Sequence, residues 1–245
     1  MRDVPVGAGA RLTAVGHVLD DVVWHALSGP HAHLAATSPD GGTARRYLDD
    51  VAPFCGVERL DDHGWAELAA LVGPRGVAVF LRGEVEPTPA GWTELVREPA
   101  TQYVAGDLIG PQVIGAEVAE LSASDALDMV ALAAATEPGP VGPKCHLTGR
   151  WFGVRREGRL IAMAGERMRV EGYGEVSGVC VDESARGEGL GAAVTLAAAH
   201  GIRERGDVPM LHVRAGNGPG ERLYERLGFE VRRMVTVVVA RRVAT

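Results

Sequence analysis

The chain has 245 residues, a formal net charge of -7 and 46% hydrophobic residues. That apolar content sustains a packed core and excludes a disordered chain, and the net acidity argues against nucleic acid as a partner. No apolar run reaches the ~20 residues that cross a bilayer, and the first residues lack the apolar stretch of a secretion signal, so no membrane partner and a cytoplasmic location are expected.

Cys55, Cys145 and Cys180 lie far apart and show neither metal spacing nor a disulfide framework. This fits a reducing compartment and gives no reason to expect a metal. His31 and His33 could share one side of a strand, but no third ligand is evident. Up to residue 112 there are 8 basic and 15 acidic residues, and from 113 onward 17 of each. The acidic first part suits either a cationic substrate or plain solvated surface. Lys144 is the only lysine, which reads as a bias of the genome.

In chain order, the stretch before Gly29-Pro30 reads as a helix or strand, and a short strand follows near Cys55. The segment "GWAELAALVG" is a helix stopped by Gly73-Pro74, and "GVAVFLRG" is a buried strand. After the loop "EVEPTPAG", the segment starting at Trp92 reads as a short helix or strand. Residues 1–112 thus form a first, smaller α/β unit. In the second unit, 113–245, Val113 to Leu121 alternates as a strand. Ser124-Asp125 then caps a helix with apolar Leu127, Val130, Ala131 and Ala134. Two strands flank a turn at Arg156 to Gly158. A third runs through "GYGEVSGVCV". After it come a glycine turn, a helix ended by Gly206, the strand "PMLHVRA", the short helix "PGERLYERLG" and closing strand material. The fold class is α/β with a mixed, α+β-type sheet.

The glycine turn carries the chemistry. Gly187, Gly189 and Gly191 permit positive φ and close backbone approach to a ligand, and the helix that follows offers unpaired N–H groups and the positive end of its dipole. Arg186 can add a charge-assisted hydrogen bond at the rim. Such a site suits a pyrophosphate. Gly187, Gly189 and Ala192 formally meet the dinucleotide pattern G-x-G-x-x-G/A. However, five residues separate Val181 from Gly187, and Asp207, the acidic residue at the right distance, precedes its strand. A P-loop is excluded because no Gly-Lys-Ser/Thr follows.

Arg186-Gly187-Glu188-Gly189-Leu190-Gly191 also fits R/Q-x-x-G-x-G/A at every fixed position. With the strand "EVSGVCV" before it and Asn217, "RLYERLGF" after it, the chain resembles the GNAT superfamily of acyl-CoA-dependent N-acyltransferases. The resemblance covers about residues 113–245 and is most specific over 175–229. Some relatives carry a degenerate second copy of the fold ahead of it, and that is the expectation for 1–112.

The resemblance implies an N-acetyltransferase that moves acetyl from acetyl-CoA to an amine of a small molecule or peptide by direct attack, without a metal. It implies that Val179 and Val181 pair with the pantetheine arm and that the Val181 N–H polarises the thioester carbonyl. Gly187, Gly189, Leu190, Gly191 and Ala192 would offer N–H groups to the pyrophosphate, and Asn217 would bond the arm; as a residue, Asn217 is equally a turn former before Gly218-Pro219. Tyr224 would protonate the leaving thiolate or, more plainly, pack against the sheet. Glu175 is either the base that deprotonates the amine or an exposed glutamate at a strand end, with Glu166 as a second candidate. Cys180 should face away from Val179 and Val181. A homodimer is compatible with this reading. A non-catalytic acyl-CoA-binding module and a nicotinamide dinucleotide enzyme are the alternatives.

Overall fold

A computed structural model describes residues 16–38, 41–83, 85–109 and 117–243. The first part holds α1 (Val22–Ser28), a small antiparallel sheet of β1 (Ala35–Thr37), β2 (Arg45–Tyr47) and β3 (Cys55–Gly56), then α2 (Asp62–Val72), β4 (Val77–Arg82) and the long β5 (Trp92–Ala105). The second part holds β6 (Ala119–Leu121), α3 (Ala126–Thr136), β7 (Trp151–Arg156), β8 (Arg159–Val170), β9 (Tyr173–Val181), α4 (Leu190–Glu204), β10 (Val208–Arg214), α5 (Gly218–Arg226) and β11 (Phe229–Arg242). The expected strand over Val113 to Leu121 is described only in its last part, as β6; residues 113–116 lie outside the described residues.

Local chemistry explains most element ends. Asp61 caps α2, its carboxylate accepting from the Gly64 N–H at 3.1 Å, and Gly73 ends the helix at φ 72°. Glu157 and Gly158, both at positive φ, turn β7 into β8. The segment from Trp92, readable as helix or strand, becomes a 14-residue strand. Its partner β11 rewards extension along nearly its whole length.

The main sheet has the order β4-β11-β5-β10-β9-β8-β7-β6. It runs across residue 112: β5, from the first part, pairs antiparallel with both β10 and β11. Among the described strands of this sheet β9 and β10 are the one parallel pair, over Val208–Met210 against Tyr173–Glu175. Beyond that point β9 stays with β8 up to Val181 while β10 stays with β5 up to Arg214, so the sheet parts between them.

Each face carries its own layer. α4 packs Val194, Ala198 and Ile202 on Phe152, Ile161 and Leu211. On the other face α1, Tyr47 and Phe54 cover Met168, Val170 and Met210. α3 lies on that second face too, over Trp151 and Met163. It buries Met129, Leu132 and Ala133 and leaves Leu127 85% exposed, which corrects the face expected from Leu127, Val130, Ala131 and Ala134. A helix apolar all round has no pattern to fix its inner side, and contact with Trp151 decides it.

Candidate active site

Three elements meet where the sheet parts: the end of β9, the loop into α4, and α5. They enclose a cleft of about 940 Å³. Val179, Val181, Arg186, Gly187, Gly189, Leu190, Gly191, Ala192, Asn217 and Tyr224 all line it, as do Ile109, Thr136 and Leu223, which the sequence reading did not single out. Glu175 does not line it.

The five residues between Val181 and Gly187 form a compact turn. Asp182 caps a short 3-10 helix at Glu183–Ala185, accepting from the Ser184 N–H at 3.0 Å. Arg159 pairs with Asp182 at 2.8 Å and Arg156 pairs with Glu188, which ties the loop to the β7–β8 hairpin. Gly187 and Gly189 take φ 85° and 81°. Gly191 does not: it is helical, and a Cβ there would sit 3.6 Å from Leu223 and Val181, an ordinary contact. Gly191 therefore does not shape the turn. Gly189 is the N-cap of α4 and no side chain caps the helix, so its first N–H groups face the cleft at the positive end of a 15-residue helix. Arg186 stands exposed at the rim. Such a helix N-terminus can take an anion without a further side chain.

The phasing of β9 depends on Gly178. Its φ is +63°, and a Cβ would lie 2.6 Å from the Trp151 ring. The register against β8 jumps here, from Cys180 opposite Met163 to Ser177 opposite Gly165. This bulge puts Val179 and Val181 on the α4 side with Val176, while Cys180 joins the α3 cluster. A glycine inside the strand pattern "VSGVCV" was the available signal.

Asn217 is the N-cap of α5; its Oδ1 accepts from the Gly220 N–H at 3.2 Å, with Pro219 in the first turn. The carbonyl oxygen is thus engaged, and the amide NH2 is left as the group that can donate into the cleft. Tyr224 is half-buried, edge-on to Phe229 at 6.1 Å. Burial, and then the neighbouring Cys180, push its phenol up to about 12, so it is protonated at neutral pH and able to donate. Burial likewise pushes the Cys180 thiol up to about 11, partly offset by the Thr136 hydroxyl, which disfavours a thiolate nucleophile.

Glu175 is fully buried on the opposite face. Burial alone would raise its pKa, but Arg167, bonded at 2.9 and 2.5 Å, and His212, at 2.7 Å, more than offset this and hold it at about 2. Glu166 is also buried, gripped by Arg205 at 2.6 Å. The lowered pKa makes a prediction. Glu175 lies below its ordinary value of 4.5, so the stability it contributes is complete above that pH and is lost as pH falls toward 2. Urea unfolding between pH 5 and pH 3 should show a loss on the order of 2 kcal/mol that is missing in Glu175→Gln. An equal slope in both proteins would contradict it.

Among the described residues no cluster of three or more His, Cys, Asp or Glu could hold a metal ion, and no helix is long and apolar enough to cross a membrane. His31 is buried and bonded through Nδ1 to the Tyr47 hydroxyl at 2.8 Å.

The sequence model of the FR47-like protein family matches residues 151–239. A solved structure from Novosphingobium aromaticivorans, described as an acetyltransferase from the GNAT family, is 37% identical with a TM-score of 0.83, covering 93% of this chain and 99% of that one. A GCN5-related N-acetyltransferase from Kribbella flavida shares the fold at 21% identity and TM-score 0.63, over 91% of this chain and 96% of that one. Mycothiol acetyltransferase of Thermomonospora curvata is 46% identical over 79 residues, 32% of this chain and 27% of that enzyme. The match thus spans about a quarter of the length of that curated relative.

A mixed sheet that parts beside a glycine loop at a helix N-terminus defines an acetyltransferase architecture. The chain belongs to the GNAT family of acetyltransferases.

Proposed function

We propose that this chain is an N-acetyltransferase that takes acetyl from acetyl-CoA and passes it to an amine of a small molecule or peptide in a ternary complex. One observation carries the reading: the uncapped N-terminus of α4, the end of β9 freed from β10, and Tyr224 face one cleft. The pyrophosphate would lie on the N–H groups from Gly187 to Ala192, with Arg186 at the rim and the Asn217 amide on the arm. The pantetheine arm would take the pairing positions that β10 leaves open along Val179 and Val181. The Val181 N–H would bond the thioester oxygen as it gains charge. The amine attacks unprotonated, its C–N bond forms, the C–S bond breaks, and the proton shed by the amine ends on the CoA sulfur. Tyr224 supplies a hydrogen bond to that sulfur as it leaves. No metal takes part in this scheme. Partial similarity to mycothiol acetyltransferases supports acetyl transfer to a small molecule. In this reading residues 113–245 carry the cofactor signature, and residues 1–112, of unassigned role, lend β4 and β5 to the same sheet; a cytoplasmic setting and a homodimer belong to the same proposal.

The test is calorimetry and thermal unfolding with acetyl-CoA. At a hundredfold excess over Kd, binding stabilises the fold by about 2.7 kcal/mol, which raises Tm by about 5–10 °C in a chain of this size. No shift at saturating acetyl-CoA overturns the reading. One observation favours a second reading, an acyl-CoA-binding module without turnover: among the described residues no carboxylate lines the cleft. It is distinguished by acetyl-CoA binding without CoA release across a panel of amines.

A further inference from the structure

The parting of β9 and β10 coincides with a buried polar contact outside the cleft. Their last backbone pair is Met210 with Glu175. Two residues further along β10, His212 Nδ1 meets Glu175 Oε1 at 2.7 Å, so a side-chain bond takes over where the backbone ladder stops. The His212 side chain is 4% exposed and that of Glu175 0%.

The surroundings fix the contact from every side. From β8, Arg167 binds both Glu175 oxygens and stacks over Phe54 with its guanidinium carbon 4.8 Å from the ring centre. From β5, Gln102 Nε2 lies 2.8 Å from His212 Nε2 and donates to the Leu19 carbonyl at 2.9 Å. Gln102 Oε1 accepts from Arg232 at 2.7 Å, and Arg232 pairs with Asp20 at 2.7 Å. The amide orientation is therefore set, the histidine nitrogen facing it accepts, and Nδ1 carries the proton given to Glu175. Tyr47 is a further titratable neighbour of the Glu175–Arg167 pair. Burying so much polarity is costly unless the groups pair, as these do, and a paired buried network is rigid.

We infer that Glu175 and His212 form a cross-strand strut that sets how far β9 and β10 part, and with it the width of the cleft. Glu175 is then a positioning residue, not a base. The strut also gives the first part of the chain a share in the site, because Leu19 and Asp20 hold Gln102 and Arg232 behind it. The inference rests on the acyl-CoA reading of the cleft for its functional consequence.

His212→Leu removes the strut, leaves the Glu175–Arg167 pair whole and keeps an apolar filling. Acetyl-CoA affinity should fall about tenfold, as expected for sub-ångström misplacement, with Tm a few degrees lower because buried Glu175 and Gln102 each lose a partner. His212→Gln, which can still donate to Glu175, should recover much of the loss. A crystal structure of His212→Leu should show a changed separation between β9 at Val181 and β10 at Arg214. If His212→Leu does not fold, His212→Asn, polar but too short to span the gap, gives the same readings. An unchanged strand separation overturns the strut. Unchanged affinity with a lower rate and a shifted pH profile overturns it in favour of proton transfer. Wild-type protein that ignores acetyl-CoA while the variant's strands move refutes the acyl-CoA reading and leaves the strut standing.

Discussion

Tyr224→Phe is expected to lower CoA release by about 100- to 1000-fold while acetyl-CoA affinity stays within about twofold. The phenylalanine keeps the edge-on contact with Phe229 at 6.1 Å, so packing is preserved and only the hydroxyl is lost. Magnitudes limit what that hydroxyl does. The phenol sits at about 12 in the free protein, whereas a thiol is ordinarily near 8.5, so complete proton transfer to the thiolate runs uphill by about 3.5 pKa units. A hydrogen bond to the sulfur, strengthening as charge gathers there, needs no such transfer and helps the transition state more than the bound thioester. Single-turnover release of CoA and calorimetric affinity, measured on the same preparation, separate the two effects. Lost affinity at an unchanged rate would reduce Tyr224 to a packing residue.

Gly178→Ala is expected to abolish measurable acetyl-CoA binding, a loss of about 100-fold or more. Two costs add. A side chain at φ +63° costs about 1–2 kcal/mol, and the new methyl would sit 2.6 Å from the Trp151 ring. Trp151 cannot yield: it is 2% exposed and its indole N–H donates to the Cys145 carbonyl at 3.0 Å. The strand must move instead, and the bulge that turns Val179 and Val181 toward α4 goes with it. Gly172→Ala is the control, because Gly172 has φ +76° but nothing within 4 Å of a Cβ. It should lose about 1 kcal/mol of stability and no affinity. Equal effects at both positions would refute the account.

The cleft was legible in the sequence wherever its chemistry is local. The loop from Arg186 to Gly191 and α4 behind it are written in consecutive residues, and Asn217 and Tyr224 belong to one short helix. The surroundings of Glu175 were not legible, because Arg167 and His212 reach it from two other strands, Gln102 backs His212 from a third, and nothing in their spacing announces it. Nor was the side of α3 that faces inward, since Leu, Val and Ala surround that helix and Trp151 chooses among them. The place of β5 was hidden for the same reason at longer range: a strand's pattern shows which residues are buried, not which distant strands flank it.

That placement has a consequence for how the protein is made. On the ribosome β5 is finished long before either of its neighbours exists: Tyr103 waits for Leu211 and for Val231, more than about a hundred residues downstream. Until β10 and then β11 emerge, the nascent chain carries a 14-residue ribbon with unpaired edges, and the parted strands have no fixed wall to part from. Closure of the cleft is therefore expected only once β11 has been made, and a chain that stops short of β11 is expected to lose the site before most of its helices.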